Sequence, residues 1–244
     1  MRSKHSERGF SLYIRPNLIA AQSSLSIAPV DTALLYIIAF PVGTPPTRAI
    51  NLDTAQHALR ASPGGLGAKK HAPNFAPAVA PAKGISQTLW LFEDIDTETG
   101  TKEEYITEAG AMDLFCTMNI FYAIKGPGGR KELITPPVGS IILEGLMRLC
   151  VIELAQERLV PQGWSLIERN ITVRELIQLE DEGRILEVFG TSTAAVVVPI
   201  RSITHNGRRV DCALNENQMT GPIAQGMKDW IEEIQYGEIE HPWR

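Results

Sequence analysis

Tyr105-Ile-Thr-Glu-Ala-Gly110, a run from Asp113 to Ile124, Gly126-Pro-Gly-Gly129 and Lys131-Glu-Leu-Ile-Thr135 follow one another with no helical pattern between them. The glycines and proline at 126–129 enforce a turn between two runs rich in β-branched and aromatic residues. A hairpin needs only such a turn, whereas a parallel pair needs a long crossover. This stretch therefore predicts antiparallel neighbours, and a mixed or antiparallel sheet rather than a doubly wound one.

Working outward, helices flank this sheet and make the class α+β. Gly145 to Leu159 is the clearest helix, with Leu146, Cys150 and Leu154 every four residues and Leu149 and Val151 widening the stripe. Ser165 to Asn170 reads as a strand. Thr172 is an N-cap with Glu175 three residues on, a capping box before a helix from Val173 to Leu179. Leu186 to Phe189 leads to a turn at Gly190-Thr-Ser-Thr193, then an apolar strand from Ala194 to Ile200. Asn206-Gly207 marks a hairpin between Ile203 and Val210. Thr220-Gly-Pro222 opens a last helix, with Met227, Trp230, Ile231 and Ile234 on one face, and the tail is either ordered by Trp243 or loose.

Upstream, Phe10 to Ile14 predicts a strand stopped by Pro16, and Leu18 to Ala21 a second extended piece. Ala33 to Val42 predicts a buried strand. Ala55 to Arg60 reads as a strand or a helical turn, and Ala76 to Lys83 as a helix bent by Pro77 and Pro81. Ser86 to Phe92 is a strand, and Asp94 to Thr99 a polar turn. No internal repeat or linker is apparent.

The 244 residues, 44% hydrophobic and 21% charged, have ordinary globular composition and enough length for a core without disulfides. The net charge of -5 gives no reason to expect nucleic acid. Cys116, Cys150 and Cys212 are far apart and match no metal-ligand spacing, so no metal is expected. No apolar window is long enough for a membrane span, and the first residues lack the apolar core of a secretory signal.

Four loops carry possible chemistry. Gly64-Gly-Leu-Gly67 precedes Lys69 and Lys70, and reads either as a surface turn or as a ligand loop with a phosphate contact or a Schiff-base nucleophile. Glu108 ends a strand-like run and is either a solvent carboxylate or a site residue. Gly190 to Ala194 offers N–H groups and hydroxyls, for a turn or for an anion. Glu144-Gly145 precedes a helix start, whose N–H groups suit an anion. His71 is a loop histidine or a general base. No G-x-S-x-G elbow or Ser/His/Asp triad is present.

The order of these stretches resembles the branched-chain amino-acid aminotransferases, pyridoxal-phosphate enzymes of the type IV, D-amino-acid-aminotransferase-like class. The likeness is carried by Ser11-Leu-Tyr-Ile-Arg-Pro16, Gly64-Gly-Leu-Gly67 with Lys70, Ile106-Thr-Glu-Ala-Gly110, Thr135-Pro-Pro137 with Ile141-Ile-Leu143, Glu187-Val-Phe-Gly190 through Thr193-Ala194, and Ile234-Gln-Tyr-Gly237. It spans residues 10 to 243.

The resemblance implies pyridoxal 5'-phosphate as cofactor. It implies Lys70, not Lys69, as the catalytic lysine that holds the cofactor carbonyl carbon and shuttles the substrate Cα proton. Arg60 matches a phosphate-binding arginine, and Glu108 the carboxylate that pairs with the pyridine nitrogen. Ile141 and Ile142 would offer N–H groups to the phosphate, while Thr193 and Ala194 would meet phosphate and substrate carboxylate. Phe75 stands at the cofactor where the family has tyrosine after asparagine. Ala111-Met112-Asp113 stands where the family has Thr-Met-Asn, with Ala111 at the substrate. Ala195 and Val198 replace the Cys-x-x-Cys pair of the animal enzymes.

The implied reaction moves the amino group of leucine, isoleucine or valine to 2-oxoglutarate in two ping-pong half-reactions, in branched-chain amino-acid biosynthesis or catabolism. A homodimer in the cytoplasm or mitochondrion is expected. Residues 1–50 are expected to be the remnant of a small domain and interdomain segment, and residues 51–244 the large cofactor domain. The alternative expectation is a truncated, catalytically impaired paralogue that binds cofactor or a protein partner, in a specialised biosynthetic pathway.

Overall fold

The chain divides into two compact units, Met1–Pro46 and Thr47–Arg244. The computed structural model describes residues 9–22, 29–43, 48–54, 59–71, 74, 87–95, 100–111 and 116–243, and leaves the side chains of 111 and 116 aside.

In the first unit, β1 (Phe10–Ala20) and β2 (Ala33–Gly43) form an antiparallel ribbon running from Phe10↔Gly43 to Ala20↔Ala33. Tyr13 and Phe40 stack across it at 5.1 Å. Pro16 does not stop β1, contrary to the sequence reading. A two-stranded ribbon has two free edges, where proline loses no ladder bond. Pro16↔Ile37 and Leu12↔Pro41 lie four residues apart along the ladder, so both prolines fall in the same alternate set of pairs. That is the set whose nitrogens point away from the partner strand. The expectation of burial for 33–42 is also corrected. β2 is a strand, but Leu34, Leu35, Ile37, Ile38 and Phe40 are exposed, because no second layer covers the ribbon among the described residues of this unit.

The second unit contains β3 (Ile50–Thr54), β4 (Gln87–Ile95), β5 (Lys102–Ala111), β6 (Cys116–Lys125) and β7 (Lys131–Thr135), then α1 (Leu146–Arg158), β8 (Trp164–Glu168) and α2 (Val173–Asp181). β9 (Ile185–Ser192), β10 (Val196–His205), β11 (Arg208–Asp211) and α3 (Pro222–Tyr236) complete it. The sheet is mixed: β3 runs parallel to β10 and β4, and β7 parallel to β8, while the other pairs are antiparallel. Because β9 pairs with both β6 and β10, the pairings β3-β4-β5-β6-β9-β10 close on themselves. Each of these six strands therefore has a neighbour on both sides, although β3–β4 and β5–β6 pair over only part of their length.

β6 lies at the centre, and both of its faces are buried. Met118, Ile120, Tyr122 and Ile124 enter one core with Leu52, Leu89, Ile106 and Leu176 of α2. Phe121 and Ala123 enter a second core with Val151 and Leu154 of α1, Met227 and Ile231 of α3, and Phe189, on which Phe121 stacks at 5.3 Å. α1 therefore presents Met147, Cys150, Val151, Leu154 and Ala155, whereas Leu146 and Leu149 are exposed.

Local signals held at several termini. Thr172 Oγ1 accepts from Glu175 N at 3.0 Å. The Glu175 carboxylate does not complete the capping box but takes both guanidinium nitrogens of Arg169, at 2.9 and 2.6 Å. Asn206 and Gly207, at φ +48 and +79, turn β10 into β11. Trp243 Nε1 donates to Glu153 on α1 at 2.9 Å, tying down the tail. Residues 190–192, expected as a turn, belong to β9, because they pair with β6 on one side and β10 on the other. Asp94 likewise belongs to β4 rather than to a turn. The expectations for 55–58, 76–83 and 96–99 lie outside the described residues.

Glu187 of β9 is buried, and its carboxylate accepts Ile223 N at 2.9 Å and Ala224 N at 3.0 Å at the start of α3. Burial pushes its carboxyl up, opposed by these N–H groups. Glu187→Ala strands those donors and should lower stability by about 1–3 kcal/mol in urea unfolding. No change would show that the helix start finds other partners.

Candidate active site

Glu108 of β5 is fully buried and meets partners from three segments. Its Oε1 accepts Leu143 N at 2.7 Å and Asn119 Nδ2 at 3.3 Å. Its Oε2 lies 2.5 Å from Arg60 Nη1, with both side chains almost wholly enclosed. That contact is close but off the donor direction, so Oε2 keeps no directed hydrogen bond. Burial pushes the Glu108 carboxyl up to about 8, against the pull of the Arg60 charge and the Leu143 N–H. Burial also lowers the Arg60 guanidinium, and Glu108 opposes that shift.

Arg60 ties this carboxylate to the glycine loop. Its Nη2 donates to Gly67 O and its Nη1 to Ile141 O, each at 3.2 Å. The arginine expected at a phosphate thus faces Glu108. Gly67 must be glycine: a Cβ there would sit 2.4 Å from Ala61 Cβ and 2.6 Å from Ser140 O. Ala68 N donates to Ser140 O at 3.1 Å, so the loop lies directly on the 140–143 segment. The Asn74 amide donates to Leu66 O at 2.8 Å and Lys69 O at 3.1 Å, fixing the turn that carries two exposed lysines, Lys69 and Lys70. His71 is exposed.

The 140–143 segment leads into α1. Gly145 is its N-cap, with no side-chain cap bond and no acidic residue in the first turn. Its first-turn N–H groups thus lack a capping side chain, beside the residues that hold Glu108. Ile142 is buried, while Ile141 spends its carbonyl on Arg60.

On the other side of Glu108, register partners form a row: Glu108↔Asn119 between β5 and β6, then Asn119↔Thr191 between β6 and β9. Register partners share a face of the sheet. All three are buried, and Thr191 Oγ1 has no hydrogen-bond partner. Two residues beyond, Thr193 is exposed in the turn and Ala194 packs on the core. Ser192 Oγ accepts Ala195 N at 3.3 Å, and Val196 sits at φ +60. Such a backbone is strained for a β-branched residue, at a cost of about 1–3 kcal/mol.

The structure thus joins Arg60, Gly67, Ile141, Leu143, Glu108 and Asn119 in one contact network, with the Lys70 loop packed on it. Phe75 lies outside the described residues, and so does the side chain of Ala111, whose backbone pairs with Cys116. Asn119 and Asn74 were not singled out from the sequence as site residues, and Thr191 was singled out only as part of the Gly190–Ala194 stretch. A signal for Asn119 was there: Thr117-Met118-Asn119 is the stretch expected after the glutamate, displaced by six residues from Ala111-Met112-Asp113. Among the described residues no His, Cys, Asp and Glu cluster could hold a metal, and no helix is long and apolar enough to cross a membrane.

The family model described as amino-transferase class IV matches residues 3–203. The chain belongs to the class IV aminotransferase family. The mitochondrial branched-chain-amino-acid aminotransferase of Schizosaccharomyces pombe is 40% identical over 97% of this chain and 54% of its own length. The chain thus spans little more than half of that relative. The Escherichia coli branched-chain amino acid aminotransferase has a similar fold, with a TM-score of 0.68 at 25% identity over 95% of this chain and 67% of that one. The Thermobaculum terrenum branched-chain aminotransferase, solved in its PLP form, matches in fold with a TM-score of 0.64 at 21% identity over 93% of this chain and 65% of that one. The mixed sheet with its helices is the class IV fold.

The raised Glu108 carboxyl has a consequence for this aminotransferase chain. Between the ordinary 4.5 and about 8 the folded state binds the proton that the unfolded chain has released. The contribution of Glu108 to stability is therefore full below about 4.5 and lost as pH rises through about 8. Urea unfolding of the cofactor-free protein at pH 5 and pH 9 should show this decline, and Glu108→Gln should flatten it. An equal decline in both proteins would contradict the assignment.

Proposed function

We propose that the chain is a branched-chain amino-acid aminotransferase that uses pyridoxal 5'-phosphate. The carrying observation is Glu108 Oε2, a buried carboxylate oxygen with a cation beside it and no directed donor. Such an atom fits the ring N–H of a pyridine cofactor. The uncapped start of α1 and the backbone at Ile141 and Ile142 fit a phosphate, with Thr193 as a further contact. The residues therefore suit the group with which the Thermobaculum terrenum relative was solved.

When bound, the cofactor supplies an electron sink for the carbon that loses its proton. Glu108 would pair with the ring N–H, and the Arg60 charge favours the ionised form of Glu108 against the effect of burial. Lys70 would hold the cofactor carbonyl carbon through its amine until the substrate amine displaces it, and the freed amine would then carry the proton that leaves the substrate Cα. Gly67 and Asn74 hold the loop that aims this lysine. Thr193 and Ala194 face the substrate carboxylate, and Ala111 was expected to join them. Leucine, isoleucine or valine donates the amino group in one half-reaction, and 2-oxoglutarate receives it in the other. The name of the Schizosaccharomyces pombe relative supports this substrate class. We read residues 1–50 as belonging to a small domain and interdomain segment, residues 51–244 as the cofactor domain, and the assembly as a homodimer in the cytoplasm or mitochondrion.

A second reading is favoured by Phe75, which lacks the hydroxyl that the family's tyrosine gives to the cofactor. On that reading the chain binds the cofactor, or a protein partner, without efficient transamination.

One purified sample separates these readings. Added pyridoxal 5'-phosphate should give a visible absorption band that Lys70→Ala abolishes, and leucine with 2-oxoglutarate should yield glutamate. A band without glutamate supports the second reading. No band at saturating cofactor refutes both cofactor-binding readings.

A further inference from the structure

Ala111-Met-Asp-Leu-Phe-Cys116 is followed at once by Thr117-Met-Asn-Ile-Phe-Tyr122. Met112 and Met118 match, as do Phe115 and Phe121. Asp113 and Asn119 are isosteric, and Leu114 and Ile120 are isomers. The two segments are therefore a near-repeat of period six, which corrects the reading that the chain has no internal repeat. Only one of them can stand opposite Glu108, and the register gives that place to Asn119.

Asn119 uses this place fully. Its Nδ2 donates both to Glu108 Oε1 at 3.3 Å and to Leu143 O at 2.8 Å, so it locks the carboxylate to the segment before α1. Its Oδ1 occupies the space that a side chain at Gly145 would need, 2.2 Å from an added Cβ. The isosteric Asp113 could do none of this. A carboxylate has no N–H to give, and beside Glu108 it would place a second negative charge in a buried site.

The register also permits closing the hairpin without the first segment, at the loss of the Ala111 pairs with Gln87 and Cys116. Ala109↔Met118 and Gly110↔Thr117 are register pairs. Removing 111–116 would join Gly110 to Thr117, leaving a two-residue connection closed by Ala109 and Met118. Glycine at the first central position is what a type II′ hairpin turn requires.

We infer that residues 111–116 are a dispensable tandem copy of 117–122, and that the second copy alone serves the site, with Asn119 as the positioning residue for Glu108. The substrate-side place expected for Ala111 passes to Thr117. The relevance of this to transamination rests on the function proposed above, but the geometry does not, so the test uses cofactor-free protein.

The readout is the pH at which stability falls, taken as the difference between each protein and its Glu108→Gln version. Asn119→Asp should move that fall to higher pH, and Asp113→Asn should leave it in place. If Asn119→Asp does not fold, Asn119→Ala should move the fall in the same direction by a smaller shift. The chain lacking 111–116 should unfold cooperatively, with a thermal midpoint no lower than that of the parent. A shift in Asp113→Asn equal to that in the Asn119 variant, no shift in either Asn119 variant, or loss of the cooperative transition on deletion would each overturn the inference. Failure to bind pyridoxal phosphate alongside the expected shifts would reject the proposed function and leave this inference standing.

Discussion

A carboxylate removed from water needs a cation and hydrogen-bond donors within reach, and Glu108 draws both from distant parts of the chain. Arg60 comes from before the glycine loop, Leu143 from the segment before α1, and Asn119 from the neighbouring strand. Removing one partner of such a buried pair typically costs about 3–5 kcal/mol, because the other charge is left uncompensated. The glycine loop, the 140–143 segment and the hairpin thus meet at one buried carboxyl group. Glu108 itself is fully buried. The same burial that makes the pair costly also leaves Glu108 Oε2 open to one further donor, as a binding site requires.

Much of the fold was legible in the sequence because the signals were local. The Gly-Pro-Gly-Gly turn at 126–129, the Thr172 cap and Asn206-Gly207 each act within a few residues and formed where expected. What failed depended on distant partners. β3 is five residues of mixed polarity that become a strand only between β10 and β4. Residues 190–192 look like a turn, yet are held extended by strands on both sides. An apolar run such as 33–42 specifies a strand but not what covers it, and here the ribbon is exposed.

The site was legible to a different degree. Glu108, Lys70 and the glycine loop were singled out by residue type and order. The ion pair between Arg60 and Glu108 was not, because no spacing rule links positions so far apart in the chain. Asn119 was missed for another reason. Its near copy at Asp113 comes first along the chain, and only the strand register shows which of the two meets Glu108.

The central claim is that the Lys70 loop and the Glu108 network form one cofactor site. Borohydride reduction of the protein saturated with pyridoxal 5'-phosphate, followed by peptide mass mapping, tests it most directly. The account predicts a single pyridoxyl group on Lys70, with Glu108→Gln strongly reducing its yield. Labelling of Lys69 or of scattered surface lysines, or a yield indifferent to Glu108, would contradict it.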